Sequence, residues 1–216
     1  MWRVPTMNLP NKLTVSRFVM TALFVGCMAA GEEYEVLHAP GRVAGWNFAY
    51  TVALLLFVAA AVTDYLDGAI ARKRGLETDF GKLMDPLAYK VLMAAGFITL
   101  LPLKAIPAWV VICIISREFL ITGLRLVAAS KGIVLPAEKL GKHKTVWQMV
   151  TAGWFLLLLA VMEFARAFFP VEETRNWWWY LWRGGGWTLA GWALVLTLYS
   201  GLGYLWRHRD LIASEE

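Results

Sequence analysis

The stretch TVALLLFVAAAVTDYLDGAIARKRGLETDFGKLMDPLAYKVLMAAGFITLL, residues 51–101, sets two apolar runs around a charged centre. That centre, residues 63–90, holds four aspartates, the consecutive cations Arg72, Lys73 and Arg74, and three glycines. Extended by their flanks to 46–71 and 83–103, both runs reach the length of about 20 residues that a membrane-crossing helix requires. The pattern repeats along the chain, with further apolar runs at 13–30, 107–129, 146–169 and 187–206. Hydrophobic residues make up 59% of the 216, among them 12 Trp, which is more apolar surface than one globular core hides. The expected fold is therefore an all-α integral membrane protein with six transmembrane helices, residues 1–216 forming a single membrane domain.

The cations fix the expected orientation. With the N-terminus in the cytoplasm, the inner segments hold Arg3, Lys12, Arg17, Arg72, Lys73, Arg74, Lys82, Lys131, Lys139, Lys142, Lys144, Arg207 and Arg209. The outer ones hold only Arg42, Lys104, Arg166, Arg175 and Arg183. That asymmetry predicts both termini in the cytoplasm. It also accounts for the net charge of +5 through attraction to anionic membrane lipids, without nucleic acid as a partner. The first span follows a short basic segment as a secretory signal does, but no A-x-A-like cleavage site follows it, so it is expected to remain part of the fold. Trp177, Trp178, Trp179 and Trp182 read as an outer aromatic belt. Cys27 and Cys113, both inside spans, read as small apolar thiols.

The charged centre carries the chemistry. On a helix Asp64, Asp67, Gly68 and Ala71 follow i, i+3, i+4, i+7 and share a face; on the next, Gly81, Asp85 and Tyr89 follow i, i+4, i+8. Three carboxylates can then converge near the cytoplasmic ends of two spans, and ionised carboxylates at membrane depth point to function. Hard oxygen ligands without His or Cys suit Mg²⁺, Mn²⁺ or Ca²⁺, of which Mg and Mn are the expected cytoplasmic ions. Gly68, Ala71 and Gly81 leave room for a nucleotide or pyrophosphate against the backbone, and Arg72 can clamp phosphate oxygens. A cation transporter is the rival from another class, since intramembrane acids also line ion pathways.

Asp64-x-x-Asp67-Gly68-x-x-Ala71-Arg72, eight residues, then Gly81-x-x-x-Asp85 resembles the signature of the CDP-alcohol phosphatidyltransferases. The resemblance continues in NLPNKLTVSRF at 8–18. ISREFLITGLR at 115–125 and GKHKTVWQM at 141–149 are similar to the phosphatidylglycerophosphate synthases within that family. It implies six-span enzymes of the bacterial cytoplasmic (inner) membrane, multi-pass, with the active site facing the cytoplasm and pairing into homodimers. These transfer the phosphatidyl group of CDP-diacylglycerol to glycerol 3-phosphate, releasing CMP with two divalent metal ions bound. Serine, inositol phosphate and phosphatidylglycerol are the alternative acceptors. By position, Asp64, Asp67 and Asp85 match the metal ligands, while Asp64, Gly68, Ala71, Arg72 and Gly81 match the nucleotide and pyrophosphate cradle. Arg117, Arg125, Lys139, Lys142 and Lys144 suit the phosphate of an acceptor or lipid. The lysines are read as loop residues and so is His143, while Arg117 is expected to pair with Glu118 or an aspartate of the cluster.

One position departs from the signature. The family's fourth aspartate, taken as the general base, is here Tyr89. A tyrosine has a reference pKa of about 10 and carries no charge near neutrality without strong perturbation. Loss of a positioned base typically costs about 10²–10⁴ in rate. Three accounts stand: an otherwise kept enzyme disabled at its base, a metal-perturbed phenolate base, or a non-catalytic binder of nucleotide lipid. Pro86 removes a helical donor from the Lys82 carbonyl and is expected to kink the helix just before Tyr89.

Overall fold

Long apolar runs with few helix breakers satisfy their backbone groups internally, and in this chain they do so as helices. The computed structural model describes the backbone of residues 9–37, 48–74, 79–133, 135, 139–168 and 180–209. Side chains are described outside 9–10, 33–37, 64–74, 79–83, 139–140, 142 and 166–168 within these. Six long helices appear among the described residues, and no strand: α1 Leu9–Leu37, α2 Ala49–Arg74, α3 Asp79–Ile98, α4 Ala108–Ser130, α5 Lys139–Phe168 and α6 Gly186–Arg207. A short π-helical turn, Tyr180–Gly185, leads into α6.

Each helix coincides with one expected span, with shifted ends. α1 runs beyond both ends of 13–30, and α5 begins at Lys139 rather than 146. Among the described residues, three helices are long and apolar enough to cross a membrane: Asn11–Glu32, His143–Ala165 and Tyr180–Arg207. Ala49–Thr63 is a shorter apolar helix. α4 has the length but carries Arg117, Glu118 and Arg125 within nine residues. Outward-facing Leu23, Leu55, Trp192, Tyr199, Leu202 and Trp206 are exposed, as suits side chains meant for acyl chains rather than water.

The chain forms two compact units. One comprises α1, α2, α3 and α5 from Leu156 onward; the other comprises α4, α5 up to Phe155, the π turn and α6. In the first, α1 packs on α2 and α3 through a stripe at alternating spacings of three and four: Thr14, Arg17, Thr21, Phe24 and Met28, closed by the buried Gly31. Phe24 meets Phe57 at 5.8 Å. A Cβ at Gly31 would lie 2.7 Å from the Tyr50 ring, so only glycine allows this approach. The first turn of α2 is capped from another helix. Glu163 of α5 accepts from the backbone N–H groups of Tyr50 and Thr51, each at 2.8 Å, and from Thr51 Oγ1 at 2.7 Å. A carboxylate there satisfies two otherwise orphaned donors and meets the positive end of the helix dipole. α3 continues as a helix through Pro86.

In the second unit α6 buries a face of small residues against its neighbours, including Ala190, Ala193, Thr197, Ser200 and Gly201. α4 contributes Val110, Val111, Ile114, Ile121, Leu124 and Ala128. Gln148 of α5 donates to Thr197 at 3.0 Å, satisfying two buried polar side chains. Phe155 packs edge-on against Trp182 at 5.0 Å. Cys27 and Cys113 are free thiols.

Candidate active site

The acidic residues fall on the C-terminal half of α2 and the start of α3. α2 is unbroken through Arg74, so Asp64, Asp67, Gly68, Ala71 and Arg72 keep their helical register. Their side chains, and that of Gly81 in the first turns of α3, lie outside the described residues. Asp85 is described. Its Oδ1 accepts from Thr14 Oγ1 at 2.7 Å and from Arg17 Nη2 at 3.1 Å, both on α1. The arginine side chain is 2% exposed and the aspartate 41%. α1 therefore holds one edge of this carboxylate while the group itself stays accessible.

Tyr89 follows Asp85 by one helical turn on the continuous α3. The residue is half-buried and its phenolic oxygen is shielded from solvent.

The second unit brings together part of the expected phosphate-binding set. Glu118 Oε1 receives both Lys144 Nζ of α5 and Arg117 Nη1, the latter at 3.5 Å. The side chains of Arg117, Glu118 and Lys144 are 11%, 21% and 4% exposed. Arg117 thus pairs with Glu118, one of its two expected partners. Among the described residues, these two cations and one anion sum to one net positive charge. Desolvated ions are tolerated only when paired this way. Arg125, two turns further along α4, stands apart from the cluster, and its Nε donates to Tyr204 at 3.3 Å.

Two expectations need correction. Lys139, Lys142, His143 and Lys144 belong to the first turns of α5, not to a loop. Lys144 is buried on Glu118 rather than solvated, because the helical register turns it inward with Gln148, Thr151 and Ala152. The side chains of Lys139 and Lys142 lie outside the described residues, and that of His143 is exposed.

The sequence reading missed Thr14 and took Arg17 for a flanking cation. The available signal was polar residues at 14, 17 and 21 interrupting an apolar span at the spacing of its buried stripe. Ser200 and Tyr204, which meet Arg117 and Arg125, were also missed, because hydroxyls within an apolar span ordinarily bond to their own helix. Ser200 does both: it donates to the Thr197 carbonyl at 3.2 Å and accepts from Arg117 Nη2 at 3.0 Å.

Comparison with known proteins covers most of the chain. Residues 7–199 match the CDP-alcohol phosphatidyltransferase family profile. A Bacillus subtilis (strain 168) protein named CDP-diacylglycerol–glycerol-3-phosphate 3-phosphatidyltransferase is 41% identical over 170 residues, 79% of this chain and 86% of its own length. Proteins of the same name from Mycoplasma pneumoniae and Rickettsia felis are 33% and 34% identical over 182 and 150 residues. These alignments cover 78% and 69% of this chain, and 73% and 75% of the relatives.

Proposed function

This chain belongs to the CDP-alcohol phosphatidyltransferase family, and from that premise we propose that it is a phospholipid-synthesising transferase whose donor is CDP-diacylglycerol and whose acceptor is glycerol 3-phosphate. The products are phosphatidylglycerophosphate and CMP. The observation that carries the acceptor assignment is the pairing of Arg117 and Lys144, from two helices, with the single carboxylate of Glu118, two cations to one anion among the described residues. It supports an anionic acceptor over serine, and it agrees with the names of the relatives. The family match leaves the cation-transport alternative without support.

Asp64, Asp67 and Asp85 are the residues that would hold two divalent ions, Mg or Mn. The fit rests on the donor chemistry: three hard carboxylates in fixed helical register, with Asp85 held along one oxygen by Thr14 and Arg17 yet 41% exposed. When bound, such ions neutralise charge on a pyrophosphate and its departing phosphate. The protein's own residues do the remaining work. Gly68, Ala71 and Gly81 leave room for the nucleotide and Arg72 grips phosphate oxygens, with Asp64 shared between nucleotide and metal. Arg117, Arg125, Lys139, Lys142 and Lys144 receive the acceptor or lipid phosphate. The acceptor hydroxyl attacks the β-phosphorus of the donor, and its proton must leave to a base. Tyr89 stands where the family has that base and lowers turnover rather than removing substrate binding. We place the chain in the bacterial cytoplasmic membrane with six crossings, both termini and the site facing the cytoplasm, and as a homodimer.

CMP release from CDP-diacylglycerol and glycerol 3-phosphate, measured on purified protein with Mg²⁺ or Mn²⁺ beside Tyr89→Asp, tests the reading. A rise of about 10²–10⁴ in the aspartate form is expected. Equal turnover in both would remove residue 89 from the base position, and silence in both would overturn the assignment of donor and acceptor.

A further inference from the structure

Arg117 and Arg125 of α4 both meet α6, at residues to which the reaction above gives no part. Ser200 gives its proton to the Thr197 carbonyl, which turns its lone pairs toward the guanidinium of Arg117, received at 3.0 Å. The next residue is Gly201. A Cβ there would lie 2.8 Å from Arg117 Cγ and 3.1 Å from its Nε, so the arginine stem runs through the space a side chain would fill. One turn on, Tyr204 accepts from Arg125 Nε at 3.3 Å, with the guanidinium carbon 5.4 Å from its ring centroid. Tyr204 is 2% exposed, fixed by Ile121 and Leu124 of α4, with its ring tilted at 38° to that of His208 at 4.5 Å. Arg125 itself is exposed, and among the described residues this contact engages only its Nε–H.

We propose that α6 is the positioning wall of the acceptor site: Ser200, Gly201 and Tyr204 set the direction in which Arg117 and Arg125 present their guanidinium groups to the acceptor phosphate. The inference rests on the reading of those arginines as acceptor ligands. An arginine carries many rotamers, and a planar fork already held in one of them loses less freedom on binding an anion. The two contacts are unlike in form, one a hydroxyl with a close-fitted glycine and the other a ring face with a phenolic oxygen. Both fix an α4 guanidinium by a residue of α6 that is itself immobilised.

Calorimetric titration of the full-length protein in detergent with glycerol 3-phosphate, and separately with CMP and Mg²⁺, tests this without turnover. Ser200→Ala and Tyr204→Phe are each expected to weaken glycerol 3-phosphate about tenfold, the scale of one hydrogen bond to a charged group. CMP affinity stays at the parent value, and Ser200→Thr, which keeps the hydroxyl, restores acceptor affinity. Gly201→Ala gives a loss of the same order by displacing the arginine stem. If Arg117→Ala abolishes acceptor binding while the α6 variants bind like the parent, the positioning role is wrong and the acceptor reading stands. If CMP and glycerol 3-phosphate weaken together, the residues merely support the fold and the proposal falls. If the parent does not bind glycerol 3-phosphate, or Arg117→Ala binds it equally well, the acceptor reading fails and takes the inference with it.

Discussion

The two units handle charge in opposite ways. In the first, Asp85 is two-fifths exposed and anchored along a single oxygen by Thr14 and a buried arginine. In the second, Arg117, Glu118 and Lys144 are nearly enclosed, and both cations share one carboxylate oxygen. A half-exposed carboxylate keeps much of its hydration and remains available to a cation. An enclosed triad has lost its hydration, so each member depends on the others. The acidic region can therefore lose a contact cheaply, whereas the basic cluster should fail as a set.

The largest expected effect breaks that set. Glu118→Ala leaves Arg117 and Lys144 without their shared counter-charge and should destabilise the protein by about 3–5 kcal/mol, the scale for removing one partner of a buried ion pair. Thermal unfolding in detergent checks this. A loss near the surface-pair value of about 0–1 kcal/mol would mean that water reaches the cluster and that the contrast between the units is false. Next is Glu163→Ala, which removes the cap on α2. Caps are worth about 0.5–2 kcal/mol, and this carboxylate receives three donors, so a loss near the top of that range is expected, with CMP affinity unchanged. A loss as large as that of Glu118→Ala would show that the first unit also depends on an enclosed anion.

What was legible in the sequence divides along the same line. The acidic signature stood out because its logic is local: Asp64, Asp67, Gly68 and Ala71 fall within two helical turns and helix periodicity alone groups them, while their side chains lie outside the described residues. The helices themselves were readable from apolar run length, apart from ends that polar residues obscured, as where α5 starts at Lys139. The organisation of the basic cluster was not readable, because its partners come from afar. Ser200 is 83 positions from Arg117, and Tyr204 is 79 from Arg125. Lys144 looked like an orientation signal because a basic residue next to a span ordinarily is one; only the register of α5 against α4 turns it inward. Arg17 was misread for the same reason, its partner Asp85 lying 68 positions away.

The smallest effect sharpens the comparison most. Thr14→Val is nearly isosteric and removes only the hydroxyl that donates to Asp85 at 2.7 Å. Because the carboxylate is partly exposed, water replaces the lost donor and stability should fall by only about 0.5 kcal/mol, the low end for one hydrogen bond. Function should respond differently from stability. With the Thr14 tether gone, Asp85 is expected to lose its aim, so Mn²⁺ affinity, followed by paramagnetic resonance of the full-length protein, should weaken several-fold. Unchanged Mn²⁺ affinity would mean that α1 supports the fold without orienting the acid. A stability loss of several kcal/mol would instead place Asp85 among the enclosed charges, and the two units would no longer differ.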